Sequence, residues 1–257
     1  MKPEISILMP AIRPQNWIEV YNSALKSTNR FFELVIVSPY SLPKELERFS
    51  NVKLIRDFGS PTRASCIGSL VCEGKFVFPT MADDAVFIDG ALDKNIDFLI
   101  SMGDSIKNIV VCKYSESENF SAKDRFQDDN YYKIVNAYPI SNSQIPKDWL
   151  IFNTALWYRE YFDYIGGFDS SFEACPFAHC DLSIRTQRDG ANVSLTPYPI
   201  IHCNHGQNDH KPIEIAQILF DTPKFAAKYS QPLDNFPIQI DKMNWKNSEQ
   251  IWSKRFK

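Results

Sequence analysis

With 257 residues, 44% hydrophobic and 23% charged, the chain can build one large α/β domain or two small ones around a substantial core, and this make-up excludes a disordered or fibrous protein. A net charge of -3 leaves no electrostatic footprint for a nucleic-acid partner. No apolar run reaches the roughly 18 residues of a membrane span, and Met1 to Pro10 is too short and too acidic for a signal peptide and reads as a first strand. Six cysteines, at 66, 72, 112, 175, 180 and 203, form no close CxxC pair, so buried free thiols in a reducing, cytoplasmic compartment are expected.

Ile5 to Met9 is a short apolar run closed by Pro10, the pattern of a central strand. Asn16 to Ser27 carries Trp17, Ile18, Val20, Tyr21 and Leu25 at helical spacing. Phe32 to Val37 is a second strand. A turn then leads to a short helix over Leu42 to Phe49, with Ser41 as its cap and Pro43 in its first turn. Val52 to Ile55 is a third strand, Thr62 to Cys72 a helix of small and apolar residues, and Phe76 to Thr80 a fourth strand. Strands alternating with short helices predict a mostly parallel sheet flanked by helices, with right-handed crossovers.

The fourth strand ends in Met81-Ala82-Asp83-Asp84, then apolar residues return. Ligands of open α/β sheets collect beyond the carboxyl ends of the strands. Adjacent carboxylates there repel each other unless a cation or several hydrogen-bond donors lie between them. Ile88 to Met102 reads as a helix and Ile109 to Cys112 as a strand. Residues 115–130 are polar and read as a surface insertion. Tyr131 to Val135 reads as an edge strand. Apolar runs flank Asn153-Thr154, and a helix from Arg159 to Ile165 stops at Gly166-Gly167.

A second polar constellation, His179-Cys180-Asp181-Leu182-Ser183-Ile184-Arg185, lies on a helix that Asp189-Gly190 ends. Helical spacing puts Asp181 and Arg185 on one face as an i,i+4 pair. Ala191 to Leu195 is a strand, and Pro197 to His210 a polar exit from the fold. The four histidines all fall between 179 and 210. Residues 211–257 form a helical or wrapping tail, and its Lys-rich, Trp-bearing end allows peripheral association with the inner face of a membrane.

These residues, in this order, resemble family 2 glycosyltransferases, inverting enzymes with a nucleotide-diphospho-sugar transferase (GT-A-like) fold. The resemblance rests on the first strand and helix, on Asp57-Phe58-Gly59 with Arg63, on Glu73-Gly74-Lys75, on Asp83-Asp84, and on Gly166-Gly167-Phe168-Asp169 followed by His179 to Arg185. It covers roughly residues 5 to 206. It implies a catalytic domain over 1–210, with a donor half to about 113 and an acceptor half from 114. It implies a nucleoside-diphosphate sugar donor, UDP-sugar favoured, and a glycan or lipid-linked glycan acceptor.

By the same resemblance Asp83 holds Mn2+ or Mg2+ with His205, for which His202 competes, and Pro10, Asp57, Arg63, Asp83 and Asp84 contact the donor. His179 or Asp181 is the base, and Trp149, Asn153 and Arg185 meet the acceptor. The chain departs from the family pattern at Met81, where the first acid of the metal motif falls, at Ser38-Pro39 in place of a base-contacting Asp, and at Ala178-His179 in place of Glu-Asp. Two other classes compete. One is a degenerate sugar- or nucleotide-binding or assembly module, which those departures favour. The other is a nucleotidyltransferase, although Pro10-Ala11-Ile12-Arg13-Pro14 lacks its glycine-rich loop.

Overall fold

A computed structural model describes residues 2–117, 132–133, 145–204 and 215–247. Its centre is an eight-stranded sheet. In chain order the strands are β1 (Ile5–Pro10), β2 (Phe32–Ser38), β3 (Val52–Arg56), β4 (Phe76–Phe78), β5 (Ala85–Phe87), β6 (Asn108–Ser117), β9 (Ala155–Tyr158) and β10 (Asn192–Asn204). Two further strands, β7 (Tyr132–Lys133) and β8 (Leu150–Ile151), pair with each other only. The order across the sheet is β3-β2-β1-β4-β9-β6-β10-β5.

The strands β3, β2, β1 and β4 are parallel, as the alternation of strands and helices predicts. Beyond them β9 runs against both β4 and β6, and β5 runs against β10, so the sheet as a whole is mixed. Six of the eight strands still run the same way, and β9 and β5 are the two exceptions to the expected parallel order. The physical reason is local. β5 follows β4 after a short loop with no crossover helix, and a crossover is what a parallel return needs.

The helices are α1 (Trp17–Ser27), α2 (Lys44–Glu47), α3 (Pro61–Ser69), α4 (Ala91–Ser101), α5 (Arg159–Tyr164), α6 (Cys175–Arg188) and α7 (Thr222–Tyr229). They cover both faces of the sheet. Ile5, Ile7 and Met9 of β1 point into a core shared with Trp17, Val20, Leu92 and Ile96. Leu8 points into the other core, with Ala64, Tyr161, Leu182, Phe225 and Tyr229. The two-residue period of a strand sends alternate side chains to opposite faces, and burial on both faces makes β1 and β2 read as unbroken apolar runs. Gly74 precedes β4 because the chain there presses on β1, where a Cβ would lie 2.6 Å from the Ser6 nitrogen.

Three expected elements differ. The helix after the acids starts at Ala91 and not at Ile88, because Ala85–Phe87 is taken into the sheet beside β10. The helix over 42–49 shrinks to Lys44–Glu47, and the Ser41 hydroxyl accepts from Arg56 Nη1 at 3.1 Å instead of capping it. The polar exit at 197–204 is the continuation of β10. Pro197 and Pro199 lack an N–H for the ladder and fall where the register with β6 shifts. Of the surface insertion expected at 115–130, residues 115–117 end strand β6 and 118–130 lie outside the described residues, as does the edge strand apart from Tyr132–Lys133. Among the described residues, no helix is long and apolar enough to cross a membrane.

Candidate functional site

The loops beyond the carboxyl ends of β1, β2, β3 and β4 enclose a cleft of about 320 Å3, within the size range of small-molecule sites. Pro10, Asp57, Asp83, Asp84, Asn153 and His179 line it, so six of the residues marked by the sequence meet in one place. Residues that the sequence reading assigns no role also line it, among them Arg13, Thr80, Tyr114 and Cys175.

Asp83 is the best-anchored group of the cleft. It is 3% exposed. Its Oδ2 accepts the main-chain N–H groups of Ile12 and Arg13, each at 2.6 Å, and its Oδ1 accepts Arg13 Nη1 at 2.5 Å. Asn16 Nδ2 donates to the Asp83 carbonyl at 3.0 Å, which ties the loop after β1 to the loop after β4. Arg13 Nη2 stands 3.8 Å from Asp84. The repulsion between adjacent carboxylates is thus relieved by a guanidinium and two backbone donors.

On one side of the cleft, Asp57 accepts Gly59 N at 2.9 Å and Arg63 Nε and Nη2 at 3.1 and 3.0 Å. Arg63 itself does not line the cleft. It backs Asp57, lies over the Trp245 ring at 4.7 Å and donates to the Trp245 carbonyl at 2.8 Å. On another side, Asn153 Nδ2 donates to the Tyr114 hydroxyl at 3.1 Å, and the Asn153 carbonyl accepts Thr80 Oγ1 at 3.1 Å.

His179 and Cys175 sit one turn apart at the start of α6 and both face the cleft. His179 is 8% exposed, its ring stands edge-on to Phe168, and it makes no side-chain hydrogen bond among the described residues. Burial pulls its pKa down to about 3, so the imidazole is neutral at pH 7. Burial, with the charge of Asp221 added, pushes the Cys175 thiol up to about 12, which leaves it un-ionised and a poor nucleophile.

The other marked residues lie elsewhere. Asp181 is fully buried behind α6, where its Oδ2 accepts Arg185 Nε at 2.7 Å and its Oδ1 accepts Lys228 Nζ at 2.5 Å and the Tyr229 hydroxyl at 2.6 Å. Burial alone would raise its pKa, but Arg185 and Lys228 outweigh that and hold it at about 2. Arg185 spends its remaining donors on the carbonyls of Ile165, Gly167 and Ile238. Trp149 packs against the core that holds Leu8. His205 lies outside the described residues.

The described residues do not fit a divalent cation at Asp83. Both carboxylate oxygens already accept donors, one of them a guanidinium, and Met81 is buried and apolar. Among the described residues, no three His, Cys, Asp or Glu side chains gather where they could hold a metal ion. No local sequence signal marks Arg13, which meets the two acids only because β1 and β4 pair in parallel.

No family model matches the chain, and no curated protein matches it. Among solved structures its fold is similar to the crystal structure of S. aureus TarS, with a TM-score of 0.56 at 15% sequence identity. The match covers 85% of this chain and 39% of that one, so the chain spans about two fifths of the length of TarS. At that identity the likeness speaks for a shared fold.

Proposed function

We propose that this protein transfers a sugar from a nucleoside-diphosphate donor, UDP-sugar favoured, to a hydroxyl of a glycan or lipid-linked glycan. The observation that carries the reading is the meeting of Asp57, Asp83, Asp84 and His179 in one cleft beyond the carboxyl ends of the parallel strands. The likeness to TarS bears on it at the level of fold alone.

In this reading the nucleotide enters beside Asp57 and Pro39, with its diphosphate towards the loop after β1. The acceptor oxygen forms its bond to the anomeric carbon from the face opposite the diphosphate. The bond to the diphosphate oxygen breaks, and its electron pair leaves with the nucleoside diphosphate. The stereocentre inverts in one displacement, and no protein nucleophile is needed. The proton of the acceptor hydroxyl passes to His179, whose neutral ring has a lone pair free at pH 7. A bound diphosphate nearby would raise the pKa of that imidazole from its depressed value and make it the better base. Position in the cleft favours His179 over Asp181, whose oxygens are occupied by Arg185, Lys228 and Tyr229.

The test is release of nucleoside diphosphate from a panel of UDP-, GDP-, CDP- and dTDP-sugars with glycan acceptors, on the wild type and on His179→Gln. Turnover of one donor, reduced at least about 100-fold in the variant, is expected. No turnover of any donor, together with retained nucleotide binding, would favour a binding module. That second reading draws on Met81 and Ala178, apolar side chains where the resemblance places acids.

A further inference from the structure

We propose that Arg13 takes the place of a divalent cation in the cleft, so that the diphosphate of the donor is held without metal. The inference rests on the transferase reading and concerns how that same site handles charge.

Three observations carry it. The first is the saturation of Asp83. A hard cation needs carboxylate lone pairs directed at it, but Asp83 directs Oδ2 at two backbone N–H groups and Oδ1 at Arg13. A cation would have to displace a guanidinium and break the link between the loops after β1 and β4, which Asn16 also secures.

The second is the placement of Arg13. Its side chain is 14% exposed and lines the cleft. Nη1 is committed to Asp83, while Nε and Nη2 make no hydrogen bond among the described residues. A guanidinium braced on Asp83 at Nη1, with Nη2 3.8 Å from Asp84 and beyond hydrogen-bond reach of it, can still turn donors towards phosphate oxygens.

The third is the surrounding field. The helices α3 and α6 both begin at the cleft wall, where Pro61, Ala64, Cys175 and His179 are lining residues. Their amino ends add partial positive charge on the side of an entering anion. Asp83 is compensated locally, and Asp57 is paired with Arg63. Asp84, at 3.8 Å from Arg13, shares the same guanidinium. The cationic role at the tip of β4 is therefore already filled by a side chain of this protein.

The experiment is a calorimetric titration of the full chain with UDP, GDP, CDP and dTDP, each in EDTA and in MnCl2, on the wild type and on Arg13→Gln. The expected result is one nucleotide bound with affinities that agree within about twofold in the two buffers. Arg13→Gln is expected to weaken it roughly 10- to 100-fold, the range for losing hydrogen bonds to a charged group. Binding that appears only with Mn2+ would overturn the inference and leave the transferase reading standing. Binding that ignores both the metal and the substitution would also overturn it, since the anion would then be held elsewhere. If no nucleotide binds in either buffer, the transferase reading falls and takes this inference with it. The wild-type comparison decides between metal and no metal even if Arg13→Gln fails to fold, which circular dichroism would show.

Discussion

Replacing His179 with Gln should flatten the acid side of the stability profile. In the unfolded chain an imidazole titrates near 6.5. In the fold, burial pulls His179 down to about 3. Between those values the unfolded chain binds a proton that the folded chain does not, so stability falls as pH drops below 6.5 and is fully present above it. The slope is about 1.4 kcal/mol per pH unit once the unfolded imidazole is mostly charged. From pH 7 to pH 5 it amounts to about 1.9 kcal/mol. Asp221 works in the opposite sense. Burial raises its carboxyl to about 6, so its contribution grows as pH falls through 6 towards its ordinary value. The whole-protein profile mixes the two, and the variant separates them, because the substituted glutamine cannot titrate while Asp221 is retained. Urea unfolding at pH 7 and pH 5 on both proteins is the assay. The loss on acidification should be larger in the wild type by about 2 kcal/mol. Losses that agree within about 0.5 kcal/mol would mean that the ring stays solvated in the cleft, and the case for a neutral base held by burial would fail.

Two further substitutions probe the scaffold behind the site. Arg185→Met removes the partner of a fully buried carboxylate and three bonds to carbonyls, so it should cost roughly 3–5 kcal/mol in urea unfolding. A change below about 1 kcal/mol would show that Lys228 and Tyr229 suffice for Asp181. Gly166→Ala forces a side chain onto a residue at φ +85°, where the new Cβ would lie 2.0 Å from the Ile240 carbonyl oxygen. The expected penalty is about 1–3 kcal/mol, read as a lower melting temperature, and an unchanged melting temperature would refute the close packing of the 240 segment on this turn.

What the sequence disclosed and what it hid follow one rule. Long, doubly buried strands such as β1 and β2 are unbroken apolar runs, and amphipathic α1 and α4 repeat at helical spacing, so each is legible alone. The three-residue strand β5 and the proline-bearing half of β10 are held by each other and by β6, and nothing within either segment marks it as a strand. The cleft follows the same division. Asp83, Asp57 and His179 could be singled out by the motifs around them. Arg13 could not, because its role comes from the approach of the loop after β1 to the loop after β4, and that approach is a property of the parallel pairing of those strands.

The split between His179 and Asp181 shows how far a helix alone decides chemistry. The two residues are two apart on α6, and at about 100° per residue their directions differ by about 160°. A helix that turns Cys175 and His179 to the cleft must therefore turn Asp181 and Arg185 away from it. The sequence offered both as bases, but no placement of α6 could bring both to one substrate. Once Asp181 faces inward its charge has to be matched there, and α7 supplies Lys228 and Tyr229 for it. Asp221, just before α7, in turn accepts the main-chain N–H groups of Glu173 and Ala174 at the head of α6. The segment from Asp221 to Tyr229 is thus fastened to both the head and the inner face of the helix that carries His179. It sets the position of the imidazole in the cleft without touching the cleft itself.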